Sequence, residues 1–181
     1  MYTGLIAKRY AEALFRFAVS NGEAEVVYTK VNGIAGRLMK SRQLKAALAS
    51  PVLSVEAKRS AVLGAAGDGV CRSLEDFISL VLRHGREHYL IYMLHSFLGI
   101  YEERNGIARV SLVTAAPVGK EIEEGIREMV MKRTACSSVR LEKEVDERLI
   151  GGFVLRVADK QMDASVAARL EKLRGILSGK L

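Results

Sequence analysis

Two histidines in "HGREH" (84–88) are the sharpest chemical candidate in the chain. The run matches H-x-x-E-H, in which His84 and His88 would bind zinc from one helix face and Glu87 would act as the base. Gly85, however, follows an amphipathic run and is expected to cap a helix there, which would separate the two ligands. His95 lies on the far side of that break, and no matching carboxylate ligand follows. Two glycine clusters raise the question of a phosphate cradle. "GAAGDG" (64–69) follows a helical pattern and lacks the Lys-Ser/Thr of a P-loop. In "LIGGFVLRVADKQMDASVAARLEKLR" (149–174), Gly151 and Gly152 precede a strand, whereas a dinucleotide fingerprint needs its glycines between strand and helix. A bulge or a close backbone approach at the strand entry is the simpler reading. Cys71 and Cys136 stand alone without CxxC spacing, which fits thiols in a reducing compartment. No G-x-S-x-G elbow is present, and the acidic clusters at 102–103, 121–124 and 142–144 suit solvated faces. The expected sites are therefore catalytic none, metal none and cofactor none.

The elements that would carry any site come next. The 181 residues are 49% apolar with no tryptophan, enough for a core packed from Ala, Leu and Val. Lys and Arg outnumber Asp and Glu by 28 to 21, giving a net charge of +7. The basic residues are interleaved with acids, as on solvated helix faces, although a basic RNA- or DNA-binding module is the rival reading. The longest apolar run, around "YLIYML", is too short to span a bilayer, and "MYTGLIAKRYAEALFRF" lacks the uninterrupted core of a signal peptide.

Period-3.6 patterning predicts helices over about 4–19, 23–40, 43–49, 54–66, 70–83 and 87–104, joined by short breaks. Ser54 is the expected cap of the fourth, and Asn105-Gly106 the stop of the sixth. Period two then takes over in "ARVSLVT", "SVRLEKEV" and "GFVLRVA". A helix lies behind Pro117 and Gly119, with Ile122, Ile126, Met129 and Val130 on one side. A last helix behind Asp163 and Ser165 carries Val166, Leu170, Leu173 and Leu177, expected against the sheet. The fold class is α plus α/β: residues 1–105 form a six-helix bundle, and 106–181 a small α/β domain of about three strands and two helices.

Two helices carry more apolar surface than a one-sided core requires. The first spreads Ile6, Tyr10, Ala13, Leu14 and Phe17 with its alanines over roughly 200°. The fifth does the same with Leu74, Phe77, Ile78, Leu80 and Val81, whereas one-sided burial needs about 100°. Both helices being central in the bundle would explain this; so would a groove that accepts a partner's amphipathic helix.

"AKRYAEALFRFA", "SPVLSVEAKR" and above all "LIGGFVLRVADKQMDASVAARLEKLR" resemble the delta subunit of F-type ATP synthase, the family of the mitochondrial oligomycin-sensitivity-conferring protein. Ala158 and Ala164 depart from it, standing where the family usually has glycine. The resemblance implies a non-catalytic stator subunit that couples proton transport to ATP synthesis by keeping the catalytic head from turning with the rotor. Its helical domain would bind the N-terminal helix of an alpha subunit in a groove between helices one and five. Tyr10, Ala13 and Leu80 match groove positions, and with Leu14, Phe17 and Phe77 they are the candidate partner-binding residues. The second domain would engage the C-terminal ends of b-type stalk subunits. The expected location is peripheral, on the cytoplasmic face of the inner (plasma) membrane, with neither nucleic acid nor membrane insertion involved.

Overall fold

A computed structural model describes residues 3–67, 69–134, 136–157 and 160–177. Asp68 of "GAAGDG" and Ala158 lie outside the described residues, as does the side chain of Leu177. The chain divides into two compact units, Met1–Tyr101 and Glu102–Leu181.

The first unit opens with α1 (Thr3–Ser20), which buries Ala7, Ala11, Leu14 and Ala18 at one-face spacing. It ends where Gly22 takes φ 69° and the N–H of Glu23 returns to the carbonyl of Ala18 at 2.8 Å, a Schellman closure. In α2 (Ala24–Lys40), Val27, Val31, Ile34 and Leu38 enter the core. Ser41 ends α2 and caps α3 (Arg42–Ala49) by accepting from the N–H of Leu44 at 3.2 Å. Ser54 caps α4 (Val55–Gly64) in the same way, through the N–H of Ala57. The start of α5 (Arg72–Arg83) is held from a distance: the Glu23 carboxylate accepts from the N–H of Ser73 at 3.0 Å. Hydrogen bonds from Ser73 hold the Glu23 carboxyl below its usual value. A 3-10 turn (Glu87–Tyr89) precedes α6 (Leu90–Arg104), so the regular helix starts one turn later than its periodicity suggests. Leu90, Met93, Leu94, Phe97 and Leu98 of α6 are all buried.

The second unit is built on a sheet of order β2-β1-β3-β4. Its strands are β1 (Ile107–Thr114), β2 (Ser138–Val145), β3 (Phe153–Val157) and β4 (Lys160–Asp163). β1 pairs parallel with β2, a connection that needs a crossover, supplied by α7 (Lys120–Thr134). Ile126 and Val130 of α7 pack on Val110, Leu112, Val139 and Leu155 to form the core. Ile122, read above as part of that face, is exposed.

Two expectations need correction here. The sheet has four strands, not three: "KQMD" pairs antiparallel with β3 as an edge strand. All four of its residues are exposed, so it has no apolar alternation to announce it, and a short polar edge resists pairing with other chains. The apolar stripe of the last helix, α8 (Val166–Leu177), does not face the sheet. Val166, Leu170, Leu173 and Ile176 are 37% to 56% exposed, whereas Ala167, Ala168 and Gly175 are half-buried. α7 already covers the core face, and α8 packs by its small side near the 3-10 turn Glu147–Leu149.

Candidate functional site

The surplus apolar arcs on α1 and α5 separate into two stripes. Leu14 (2% exposed) and Phe77 (6%) belong to the core with Ala11, Leu74 and Ile78. Both were read as candidate partner-binding residues, but they lie beneath the surface and expose almost none of their own. Ala13 is exposed and Tyr10 half-buried on the neighbouring face of α1, and Leu80 of α5 is 45% exposed. Tyr10, Ala13 and Leu80, with Ile6, Arg9 and Arg86, line an open cleft of about 440 Å³. Phe17 is 43% exposed, one to two turns further along α1 and outside that cleft.

Tyr10 organises one end of the cleft. Its ring meets Phe77 edge-on at 6.4 Å and His84 edge-on at 6.5 Å. Its hydroxyl shares a hydrogen bond of 2.9 Å with Nδ1 of His84 and accepts from Nη1 of Arg86 at 2.8 Å. The Arg86 guanidinium also lies over the ring, 5.4 Å from its centroid. Neither Ile6, Arg9 nor Arg86 stood among the candidate residues. Ile6 was legible in the apolar arc of α1; Arg86 was hidden in the false zinc pattern, because its partner Tyr10 is remote in sequence.

That pattern is accounted for by geometry. Gly85 takes φ 62°, and the N–H of Arg86 returns to the carbonyl of Val81 at 3.0 Å, closing α5 before His88. His84 and His88 therefore do not share a helix face. Among the described residues, no group of three His, Cys, Asp or Glu is placed to hold a metal ion. Cys71 and Cys136 are free and half-buried, and burial pushes the Cys71 thiol upward, away from a reactive thiolate.

The glycine pair is explained just as directly. Gly152 has φ 76°, and a Cβ on it would overlap the carbonyl of Ala164. The strand entry passes that close because the N–H of Ala164 donates to Phe153 and that of Val166 donates to Gly151, at 2.9 and 3.0 Å. Ser165, 2% exposed, caps α8 by accepting from the N–H of Ala168, and Asp163 accepts from the N–H of Ser165. Hydrogen bonding from the Ser165 side chain, and then from its backbone N–H, holds the Asp163 carboxyl below its ordinary value. The motif that looked like a phosphate cradle is a strand–helix clasp.

A helical unit with an open apolar cleft, followed by an α/β unit whose glycines and caps serve the backbone, has the build of a structural subunit. The chain belongs to the ATP synthase delta (OSCP) subunit family, whose profile matches residues 6–177. It is 33% identical to the ATP synthase subunit delta of Phocaeicola vulgatus, over 96% of this chain and 94% of that one. It is also 33% identical to that of Parabacteroides distasonis, over 99% and 100%. In fold it is similar to a chain of the Toxoplasma gondii mitochondrial ATP synthase hexamer, with TM-score 0.70 and 23% identity over 94% and 96% of the two chains. As a member of this family the chain is a non-catalytic, peripheral-stalk subunit of F-type ATP synthase. The nucleic-acid reading finds no support. Basic residues on both units pair with this chain's own acids, as in Lys58–Glu87, Arg109–Glu102 and Lys143–Glu123.

Proposed function

We propose that residues 1–105, the six helices α1 to α6, act as one head-binding bundle. Its α1/α5 cleft takes the N-terminal helix of an alpha subunit, and residues 106–181 hold the C-terminal ends of the b-type stalk. One observation carries the head contact: Leu80 is 45% exposed in a cleft it shares with Ala13 and Tyr10, while Leu14, Leu74, Phe77 and Ile78 on the adjoining faces of the two helices are buried. Apolar side chains left open along an interhelical groove are the surface that an amphipathic helix covers. The stalk contact has its own support in α8, where Val166, Leu170, Leu173 and Ile176 form an exposed stripe at three- and four-residue spacing. A seam of that spacing matches the helical stalk ends it would meet.

With head and stalk held by one chain, the head resists the torque of the rotor, and proton flow is coupled to ATP synthesis. The chain itself would sit peripherally, at the cytoplasmic face of the inner membrane, through its partners. Among the described residues, no helix is long and apolar enough to cross a membrane. Tagged full-length chain used as bait on detergent-solubilised membranes should bring down alpha and b-type subunits together. Recovery of neither would overturn the assignment of partners.

A further inference from the structure

Leu80 borders two depressions. On one side lies the α1/α5 cleft; on the other, a groove of about 610 Å³ runs between α4 and α5. Asp76, Ser79, Leu80 and Arg83 of α5 form one wall of the groove at one-face spacing, and Val55, Glu56 and Arg59 of α4 form the other. The groove is built in advance. Arg59 donates from Nη2 to Oε2 of Glu75 at 2.8 Å and from Nε to Oγ of Ser79 at 3.1 Å, tying α4 to α5. Its apolar surface continues that of the cleft. Val55 and Leu80 are both exposed, and so are Val52 and Leu53 in the bend that enters α4, Val52 by 90%. Glu56 and Arg83 line the same groove, and among the described residues neither stands in an ion pair, whereas Arg59 pairs with Glu75.

The two depressions differ in chemistry. The cleft offers apolar side chains to the apolar face of a helix. The groove mixes Val55 and Leu80 with open charges and a hydroxyl, which suits an extended chain whose own N–H and C=O groups need partners. Residues 76–83 of α5 give it a length of about 10 Å, which about three or four extended residues fill. We propose that the α4/α5 groove extends the head contact by holding, in extended form, the residues that flank the docked helix in the same alpha chain. An apolar side chain of that segment meets Val55 and Leu80, and its polar groups meet Glu56 and Arg83. This rests on the α1/α5 cleft being the head-binding site. Leu80 is then the wall shared by both parts of the contact, and the tie from Arg59 to Ser79 lowers the ordering cost of binding.

The test is calorimetric titration of the full-length chain with synthetic peptides of the cognate alpha subunit. One peptide is the N-terminal helix alone; two others extend it by its natural flanking residues, at one end or the other. The protein is wild type, Val55→Glu or Leu80→Glu. One extended peptide should bind wild type about tenfold or more tighter than the helix alone, because the second contact is made within one molecule. Val55→Glu should abolish that gain and leave the affinity for the helix alone within about twofold of wild type. Leu80→Glu should weaken binding of every peptide. Val55 is exposed at the start of α4, where a carboxylate is favourable to the helix, so the variant should fold. Should it melt early, scrambling the flanking residues of the tighter peptide decides the matter on wild-type protein, where the gain should vanish. No gain from either extension, a gain that survives Val55→Glu in the folded variant, or one that survives scrambling would overturn the proposal. So would binding of two helix peptides per wild-type chain and one per Val55→Glu chain, which would make the groove a separate helix site. If Leu80→Glu binds the helix as wild type does, the cleft assignment falls and takes this proposal with it.

Discussion

The Lys58–Glu87 pair provides a stringent test of how the helical unit is held together. Lys58 of α4 reaches the 3-10 turn before α6, placing Nζ 2.7 Å from Oε1 of Glu87. The two side chains are only 8% and 13% exposed, and Oε2 of Glu87 is buried with no hydrogen-bond partner. Replacing Lys58 with Met keeps most of the side-chain volume and leaves a buried carboxylate with neither oxygen paired through its side chain to a cation. Breaking one side of such a pair costs about 3–5 kcal/mol, a large part of the roughly 5–15 kcal/mol that stabilises a domain. For a unit of this size that is a fall in Tm of at least about 12 °C.

The pH dependence follows from the same contact. Burial pushes the Glu87 carboxyl upward, but the Lys58 hydrogen bond, its own backbone N–H and the charges of Lys58 and His88 outweigh it, leaving it below the ordinary 4.5. A carboxyl lowered in the folded state contributes stability that is present above its unfolded value and lost as pH falls through its folded value. Wild type should therefore lose this contribution below about pH 4.5. Lys58→Met should show its deficit at neutral pH and a smaller one in acid, where Glu87 is protonated. Adding Glu87→Leu to Lys58→Met should recover most of the loss. Urea titrations followed by circular dichroism at neutral and acid pH measure all three variants. A loss under about 1 kcal/mol, or a deficit that does not change with pH, would refute the reasoning.

Gly152→Ala should cost about 2 kcal/mol or more, because alanine must take φ 76° against the Ala164 carbonyl. Thermal melts should show the loss in the α/β unit and leave the main helical transition in place. Leu173→Glu, on the exposed stripe of α8, should change stability by no more than about 0.5 kcal/mol while abolishing capture of b-type stalk segments. Matched melts and pull-downs separate the two effects. A fragment of residues 1–105 should show the helical circular dichroism and cooperative melt of a folded domain, because the contacts divide beside its end, between Tyr101 and Glu102. A non-cooperative melt would contradict it.

The helices were legible because each carries a stripe and a stop signal close to it in sequence. Gly22, Gly85 and Gly106 all take positive φ at the breaks read from the sequence. β1 to β3 were legible from alternation, and β2 spans the residues of "SVRLEKEV". β4 was not, because an edge strand without a buried face leaves no periodic trace. The stripe of α8 misled for the opposite reason. Periodicity reports that one face is apolar and is silent on whether this chain or another covers it. The same ambiguity placed Leu14 and Phe77 beside Ala13 and Leu80, although only the latter two are open. Arg86 was out of reach because its meaning depends on Tyr10, 76 residues away.

The central claim is that the α1/α5 cleft holds the catalytic head, and calorimetric titration with the alpha-subunit N-terminal helix tests it most directly. Wild type should bind one helix per chain. Ala13→Glu and Leu80→Glu should each weaken binding at least about 30-fold, the effect of an unpaired charge desolvated in an apolar cleft. Both variants should melt within a few degrees of wild type, as roughly expected for substitutions at open positions. Unchanged affinity in both, or loss of helicity together with binding, would contradict the account.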